Sequence, residues 1–322
     1  MLIPRIVALM FAALTVPGAA YAADYPAGPI TVIVPYAAGG LADNIARPIA
    51  DALGKVLKQS VIVENKGGAG GVVGTGFVAR AKPGGYTLLL AVSAISGLPE
   101  GDGLLGRKPA FQLDQFVPIA RVTADPNLLV VNADAPWKSV AELVADSKQH
   151  PTALNYGASG VYGAMHIPME MFKAASGAQI THVPFSGGGP AMVSLLGGQI
   201  QTGASGPANA GNIVKTRKMR ALAHWGSQPL PAYPGLPSLK SLGYDAEFVQ
   251  WSALMAPAGT PPAAIDTLRN AMRVVTADPA LKQVFNNLGS PIEYMDAPEF
   301  ATYWKADAER VVAAVKKIGK VD

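Results

Sequence analysis

Three times in this chain a run of strand length opens into a loop of small residues and then into a helical pattern. That repetition constrains the fold more than any other feature. The first unit begins with residues 30–35 (ITVIVP), an apolar, β-branched run. It continues through Tyr36, Ala37, Ala38, Gly39, Gly40, Leu41, Ala42 and Asp43 into Ile45, Ile49, Leu53, Val56 and Leu57 at helical spacing. The second unit spans residues 155–164 (NYGASGVYGA). The third follows a strand at 181–185 through residues 184–190 (PFSGGGP), where Pro190 opens a short helix. Further strands are expected at 60–64, 86–92 and 127–132. Pro48 is expected to kink the first helix or to mark a late start. Ser139 with Glu142 forms a capping box, and Thr260-Pro261, Asp278-Pro279 and Asp296 open C-terminal helices. Strands alternating with helices predict the α/β class with parallel sheets.

The first 22 residues read as a signal peptide: Arg5, an apolar stretch over 6–16, and Ala20-Tyr21-Ala22 before the cleavage point. No second long apolar run follows. The absence of cysteine excludes disulfides, thiol catalysis and a lipid-anchored N-terminal cysteine. Charged residues are 15% of the chain and the net charge is +4, which argues against a nucleic-acid partner.

Loops that follow parallel strands sit where α/β sheets bind ligands. Helix N-termini there offer unpaired N–H groups and a positive dipole end, so several aimed at one cleft make an anion site without a charged side chain. The hydroxyls of Tyr36, Ser159 and Ser186 accompany these loops. Catalytic patterns are weaker. His150, His166, His182 and His224 show no metal spacing, and residues 157–160 (GASG) miss the nucleophile elbow by one position. Residues 67–74 (GGAGGVVG) differ in spacing from a dinucleotide fingerprint, and no acidic residue ends a following strand at the needed distance. No cofactor and no metal are expected.

Read in order, several stretches resemble the receptors of tripartite tricarboxylate transporters, the Bug family. They are Tyr25-Pro26, residues 30–40 (ITVIVPYAAGG), 61–71 (VIVENKGGAGG), 83–89 (PGGYTLL), 154–159 (LNYGAS), 182–184 (HVP), 195–199 (LLGGQ) and 257–261 (PAGTP). The resemblance implies two α/β lobes closing like a flytrap, of the type II-like periplasmic binding kind, with a parallel-rich sheet in each. It implies a periplasmic solute receptor, not an enzyme, that captures a small carboxylate and delivers it to a large and a small membrane subunit, acting as a monomer. It places the carboxylate between the loop holding Tyr36, Ala37, Ala38, Gly39, Gly40, Ala42 and Asp43 and the loop holding Ser159, Tyr162, Gly163 and Ala164, with His166 beside it. Ser93, Ala94, Pro184, Phe185, Gly187, Ser205 and Gly206 would shape the rest. Where the family often has an aspartate, this chain has Ser205, so amino acids should bind poorly. Phe185, Tyr162 and Trp251 or Trp225 as walls lean toward an aromatic or apolar-bodied acid, beside a di- or tricarboxylate.

The expected division is residues 23–121 and 250–322 for one lobe and 122–249 for the other, with crossings near 118–123 and 249–254. Two rival functions stand beside it. One is a secreted hydrolase of a small ester or amide, with Ser159 as nucleophile and His166 or His182 as base. The other is a sensory lobe presenting the same ligand to a membrane kinase.

Overall fold

A computed structural model describes residues 25–321, so the expected signal peptide lies outside the described residues. The chain opens with β1 (Ile30–Val34), α1 (Leu41–Leu57), β2 (Val61–Asn65), α2 (Val72–Ala79), β3 (Thr87–Val92) and α3 (Leu98–Leu104). β4 (Phe116–Pro126) follows, and after Asn127 comes β5 (Leu128–Asn132), already in a second sheet. Next come α4 (Val140–Gln149), β6 (Asn155–Ala158), α5 (His166–Ser176), β7 (Thr181–Pro184), α6 (Gly188–Leu196), β8 (Thr202–Ser205), α7 (Pro207–Lys215) and β9 (Met219–His224). β10 (Val249–Pro257) returns to the first sheet, and α8 (Pro262–Ala277), α9 (Pro279–Leu288), β11 (Met295–Asp296) and α10 (Ala297–Ile318) complete the fold.

The six-stranded sheet has the order β11-β4-β10-β3-β1-β2, and the five-stranded sheet the order β7-β6-β8-β5-β9. The strands of the repeated units pair in parallel: β1 with β2 and β3, and β6 with β7 and β8. The sheets are nonetheless mixed. β10 lies antiparallel between β3 and β4, paired with β4 from Val249↔Pro126 to Pro257↔Phe116 with register shifts at Ser252/Ala253 and Leu254/Met255, and β5 lies antiparallel to β8 and β9. Strands that link the two sheets enter from the opposite end to the βαβ strands, so they must pair antiparallel. The expected crossing segments fall inside β4 and β10. The outward passage is made at Asn127.

α1 starts at Leu41, ahead of Pro48, and runs through it without a break. Its apolar face packs Ile45, Ile49 and Leu53 against Ile30, Val32, Leu268 and Phe285. The Ser139 hydroxyl accepts the Glu142 N–H at 3.2 Å, but Glu142 reaches back to the Lys138 N–H, so only half of the capping box forms. Asp278 caps α9 as expected, accepting the Ala280 N–H at 2.8 Å. Asp296 spends its carboxylate on Arg269 and Arg273.

One large core joins the sheets and holds Leu89, Leu129, Tyr156, Trp225, Trp251 and Trp304. Both central tryptophans are fully buried with their indole N–H groups satisfied: Trp251 donates to Asp307 Oδ2 at 2.6 Å and Trp225 to the Pro168 carbonyl at 3.0 Å. No helix of the described residues is long and apolar enough to cross a membrane.

Candidate functional site

Four helices, one from each repeated unit and α7, begin around one small cavity. Gly40 precedes α1, Met165 precedes α5, Gly187 precedes α6 and Gly206 precedes α7, and none of the four supplies a side-chain cap. The sequence builds this directly, because glycine and methionine have no oxygen with which to cap. The first turns of these helices carry the positive end of the dipole, but the free donors are few. In α5 the His166 and Ile167 N–H groups go to the Gly163 carbonyl and in α7 the Asn209 N–H goes to Gly206, while Pro168, Pro190 and Pro207 have no N–H to offer.

The cavity between them is lined by Gly40, Leu41 and Ala42 of α1 and by Ala164 and Met165 ahead of α5. Gly188 of α6, and Ser205, Gly206 and Asn209 around α7, add to the wall. Tyr36, Val92, Ser159 and Gln250 complete it. No lining residue is Asp, Glu, Lys, Arg or His. The volume of about 30 Å³ gives room for about two water molecules.

Glycine backbones form the rim. A Cβ at Gly160 (φ +109°) would lie 2.5 Å from the Gly70 backbone nitrogen, so only glycine fits there. A Cβ at Gly187 would lie 3.0 Å from both the Cβ and the nitrogen of Ala37, and one at Gly40 3.4 Å from the Gly189 nitrogen. The loops of the first sheet thus touch those of the second, backbone against backbone.

Of the residues expected from sequence, Tyr36, Gly40, Ala42, Ser159, Ala164, Ser205 and Gly206 line the cavity. Ala37 and Gly187 meet at the rim, and the Ala38 carbonyl faces Gly189. The others are elsewhere. The Gly39 N–H is taken by Asp43 Oδ2 at 2.9 Å, and the Gly163 N–H by the Gly160 carbonyl at 3.2 Å. Asp43 stands three residues into α1 instead of capping it, and also binds Arg47 and Asn65. Burial alone would raise its carboxyl, but the bonds to Arg47, Gly39 and Asn65 hold it below the usual carboxylate range.

Ser93 and Ala94 are buried in a short 3-10 turn after β3, and Val92 alone of that stretch reaches the cavity. Pro184 is exposed at the end of β7. Phe185 packs over Gly157 instead of forming a wall. Tyr162 is buried against Gly101 and donates its hydroxyl to the Gly319 carbonyl at 2.7 Å, so it braces α10 and forms no wall. With Trp225 and Trp251 in the core, Tyr36 is the one aromatic residue on the lining.

His166 is buried beside His182, with ring centroids 4.7 Å apart. His166 Nδ1 and His182 Nε2 have no partner among the described residues. Burial pushes His166 down to about 3, with the His182 and Lys173 charges adding to the shift. Burial also pushes His182 down to about 4, with Glu170 opposing. The nearest acid, Glu170, is engaged by Tyr156 and Lys173. A hydrolase needs its nucleophile hydrogen-bonded to a base that a third group orients, and among the described residues no histidine bonds to Ser159. Sequence reading missed Leu41, Val92, Met165, Asn209 and Gln250. For Gln250 the available signal was a long polar side chain inside the mostly apolar run VQWSALMAP.

Comparison with known proteins identifies the family and the fold. The family model for the tripartite tricarboxylate transporter family receptor, TctC, matches residues 45–320. Protein BugT of Bordetella pertussis is 35% identical over 268 residues, 83% of this chain and 82% of BugT. Among solved structures, the periplasmic binding protein BugD is similar with a TM-score of 0.86 at 30% identity, covering 91% of this chain and 98% of that one. MatC from Rhodopseudomonas palustris, with bound malate, is similar with a TM-score of 0.84 at 29% identity, covering 90% of this chain and 100% of MatC.

Proposed function

The chain belongs to the tripartite tricarboxylate transporter receptor family, with the two-lobed α/β fold of a periplasmic binding protein, and from that premise we propose that its helix-end cavity captures a small carboxylate. The observation that carries the reading is the convergence of four uncapped helix N-termini on a cavity without charged side chains. Such a site neutralises an anion with fixed partial charges. Tyr36, Ser159 and Ser205 add hydroxyl donors. Malate bound to MatC supports a small carboxylate as the ligand class. With Tyr36 alone on the lining, the preference moves to an aliphatic acid.

In this reading the expected boundary at 121/122 moves to Asn127, because β4 stays in the first sheet to Pro126 and β10 rejoins it from Val249, and Asn127 serves as a hinge. The receptor works in the periplasm and hands its ligand to the large and small membrane subunits of a tripartite transporter. The ligand leaves as it arrived, because Ser159 has no base.

A thermal-shift screen followed by calorimetry tests this, since a ligand that binds only the folded state raises its stability. Aliphatic mono- and dicarboxylates are expected to stabilise the protein and to be recovered unchanged, and acidic amino acids are not. The cavity as it stands is too small for a dicarboxylate, so the lobes must part to admit one. Ligand contacts from both lobes favour closure around it, so X-ray scattering should give a larger radius of gyration for the free protein than for the bound form. Absence of any carboxylate response would overturn the reading. Ser159→Ala should weaken the best ligand by about 1.5–3 kcal/mol, the range for a hydrogen bond to a charged group. Full affinity in that variant would remove Ser159 from the site.

A further inference from the structure

The strand that returns to the first sheet carries one polar side chain that no neighbour meets. Gln250 of β10 is 5% exposed, lines the cavity, and has no hydrogen-bond partner for its Oε1. A Cβ on Gly206 would lie 3.3 Å from that oxygen, so the amide reaches from the first sheet to the start of α7 in the second. The adjacent polar side chains do not serve it: Asn209 Nδ2 donates to Ser205 Oγ at 3.0 Å. An acceptor buried without a donor costs stability, and this one faces the space left for a ligand.

We propose that Gln250 is a specificity-determining residue whose Oε1 accepts a hydrogen bond from a hydroxyl group on the bound acid. The protein then selects hydroxylated acids over the matching acids without the hydroxyl. This rests on the carboxylate reading above. The donor is a hydroxyl and not an ammonium, because no lining residue is charged and a buried ammonium needs a carboxylate beside it. The selection is asymmetric. An acid lacking the hydroxyl leaves Oε1 unpaired under closed lobes, and a site built around a hydroxyl rejects such analogues strongly.

Calorimetric titration of the full mature chain with four matched pairs tests this: lactate with propionate, malate with succinate, citrate with tricarballylate, and 4-hydroxybenzoate with benzoate. In the pair that binds most tightly, the hydroxylated member is expected to bind about tenfold or more tightly than its partner. Gln250→Met keeps the length of the side chain and removes the acceptor, so the ratio should fall to near one. Unliganded Gln250→Met should melt close to the wild-type temperature, because with the lobes apart water satisfies Oε1 and its loss costs little. Gln250→Leu provides the same comparison should the first variant misfold. A ratio near one in the wild type, or a ratio unchanged by both variants, overturns the proposal while leaving the carboxylate receptor intact. A lowered melting temperature with an unchanged ratio would make Gln250 a structural residue only. If no member of any pair binds, the carboxylate reading falls and this inference falls with it.

Discussion

Gly187→Val is expected to weaken carboxylate binding roughly ten- to hundredfold while leaving the melting temperature of the free protein close to wild type. Gly187 has φ 176° and ψ 174°, an extended conformation open to any residue, so valine strains nothing by itself. Its Cβ would point at the backbone nitrogen and Cβ of Ala37, 3.0 Å away across the rim. Ala37 cannot yield freely. It belongs to the loop that leads into Gly40 and Leu41, and moving it moves the N–H groups that receive the ligand. When the lobes are apart nothing meets the new side chain. The penalty therefore falls on the closed form alone, and overpacking of this kind costs about 1–3 kcal/mol. Calorimetry with the best acid from the screen measures the loss, and scattering should show a variant that fails to contract at saturating ligand. Unchanged affinity in Gly187→Val would mean that capture does not bring these two loops together.

The second large effect is on pH dependence, and it has two opposing arms. Asp125 in β4 is 7% exposed and bonds to the Ser290 hydroxyl. Burial pushes its carboxyl up to about 7, with Ser290 lowering it, Glu293 raising it and Arg121 lowering it. The folded protein thus holds a proton that the unfolded chain releases near pH 3.9. Between those values stability falls as pH rises, by about 1.4 kcal/mol per unit and on the order of 4 kcal/mol in total. His166 and His182 act in the other direction. Both are held neutral far below the ordinary histidine value of about 6.5, so the unfolded chain takes up protons that the folded one refuses. Stability falls as pH drops below about 6.5, by up to about 1.4 kcal/mol per unit from His166, with a smaller share from the less buried His182. Asp125→Asn separates the arms. Measured by denaturant titration from pH 4 to 8.5, the variant should gain steadily on the wild type as pH rises to 7 and hold that gain above it. In acid, with the opposing arm removed, its decline below pH 6.5 should be steeper than that of the wild type. Parallel profiles for the two proteins would show that Asp125 ionises normally.

What the sequence revealed was whatever is written locally. The run ITVIVP, the small-residue loop behind it and the helical spacing after it are neighbours in the chain, so β1, the cavity loop and α1 were legible together. The same holds for the units around Ser159 and Gly187. The antiparallel entry of β10 was not legible, because VQWSALMAP carries no sign of whether it will pair with β3 and β4 or with either alone. The tryptophans misled for a related reason. An indole reads as a ligand wall or as core with equal ease until its N–H partner is known, and Asp307 and the Pro168 carbonyl are distant in sequence. Gln250 was visible only as a polar side chain in a mostly apolar strand, since its significance lies in what fails to meet it.

The place of β10 also sets an order of assembly. This strand fills the interior of the first sheet, between β3 and β4, yet it arrives only after the whole second sheet has been laid down. Until then β3 presents an open edge of apolar strand (TLLLAV), the kind of edge that invites pairing with other chains. The second sheet needs no later segment and can form first. The first sheet is a long-range closure, and such closures are slow. A chain of this design is therefore most vulnerable to aggregation while it is still incomplete. In refolding from denaturant, protection of amide hydrogens should appear in β5 to β9 before it appears in β1 to β3.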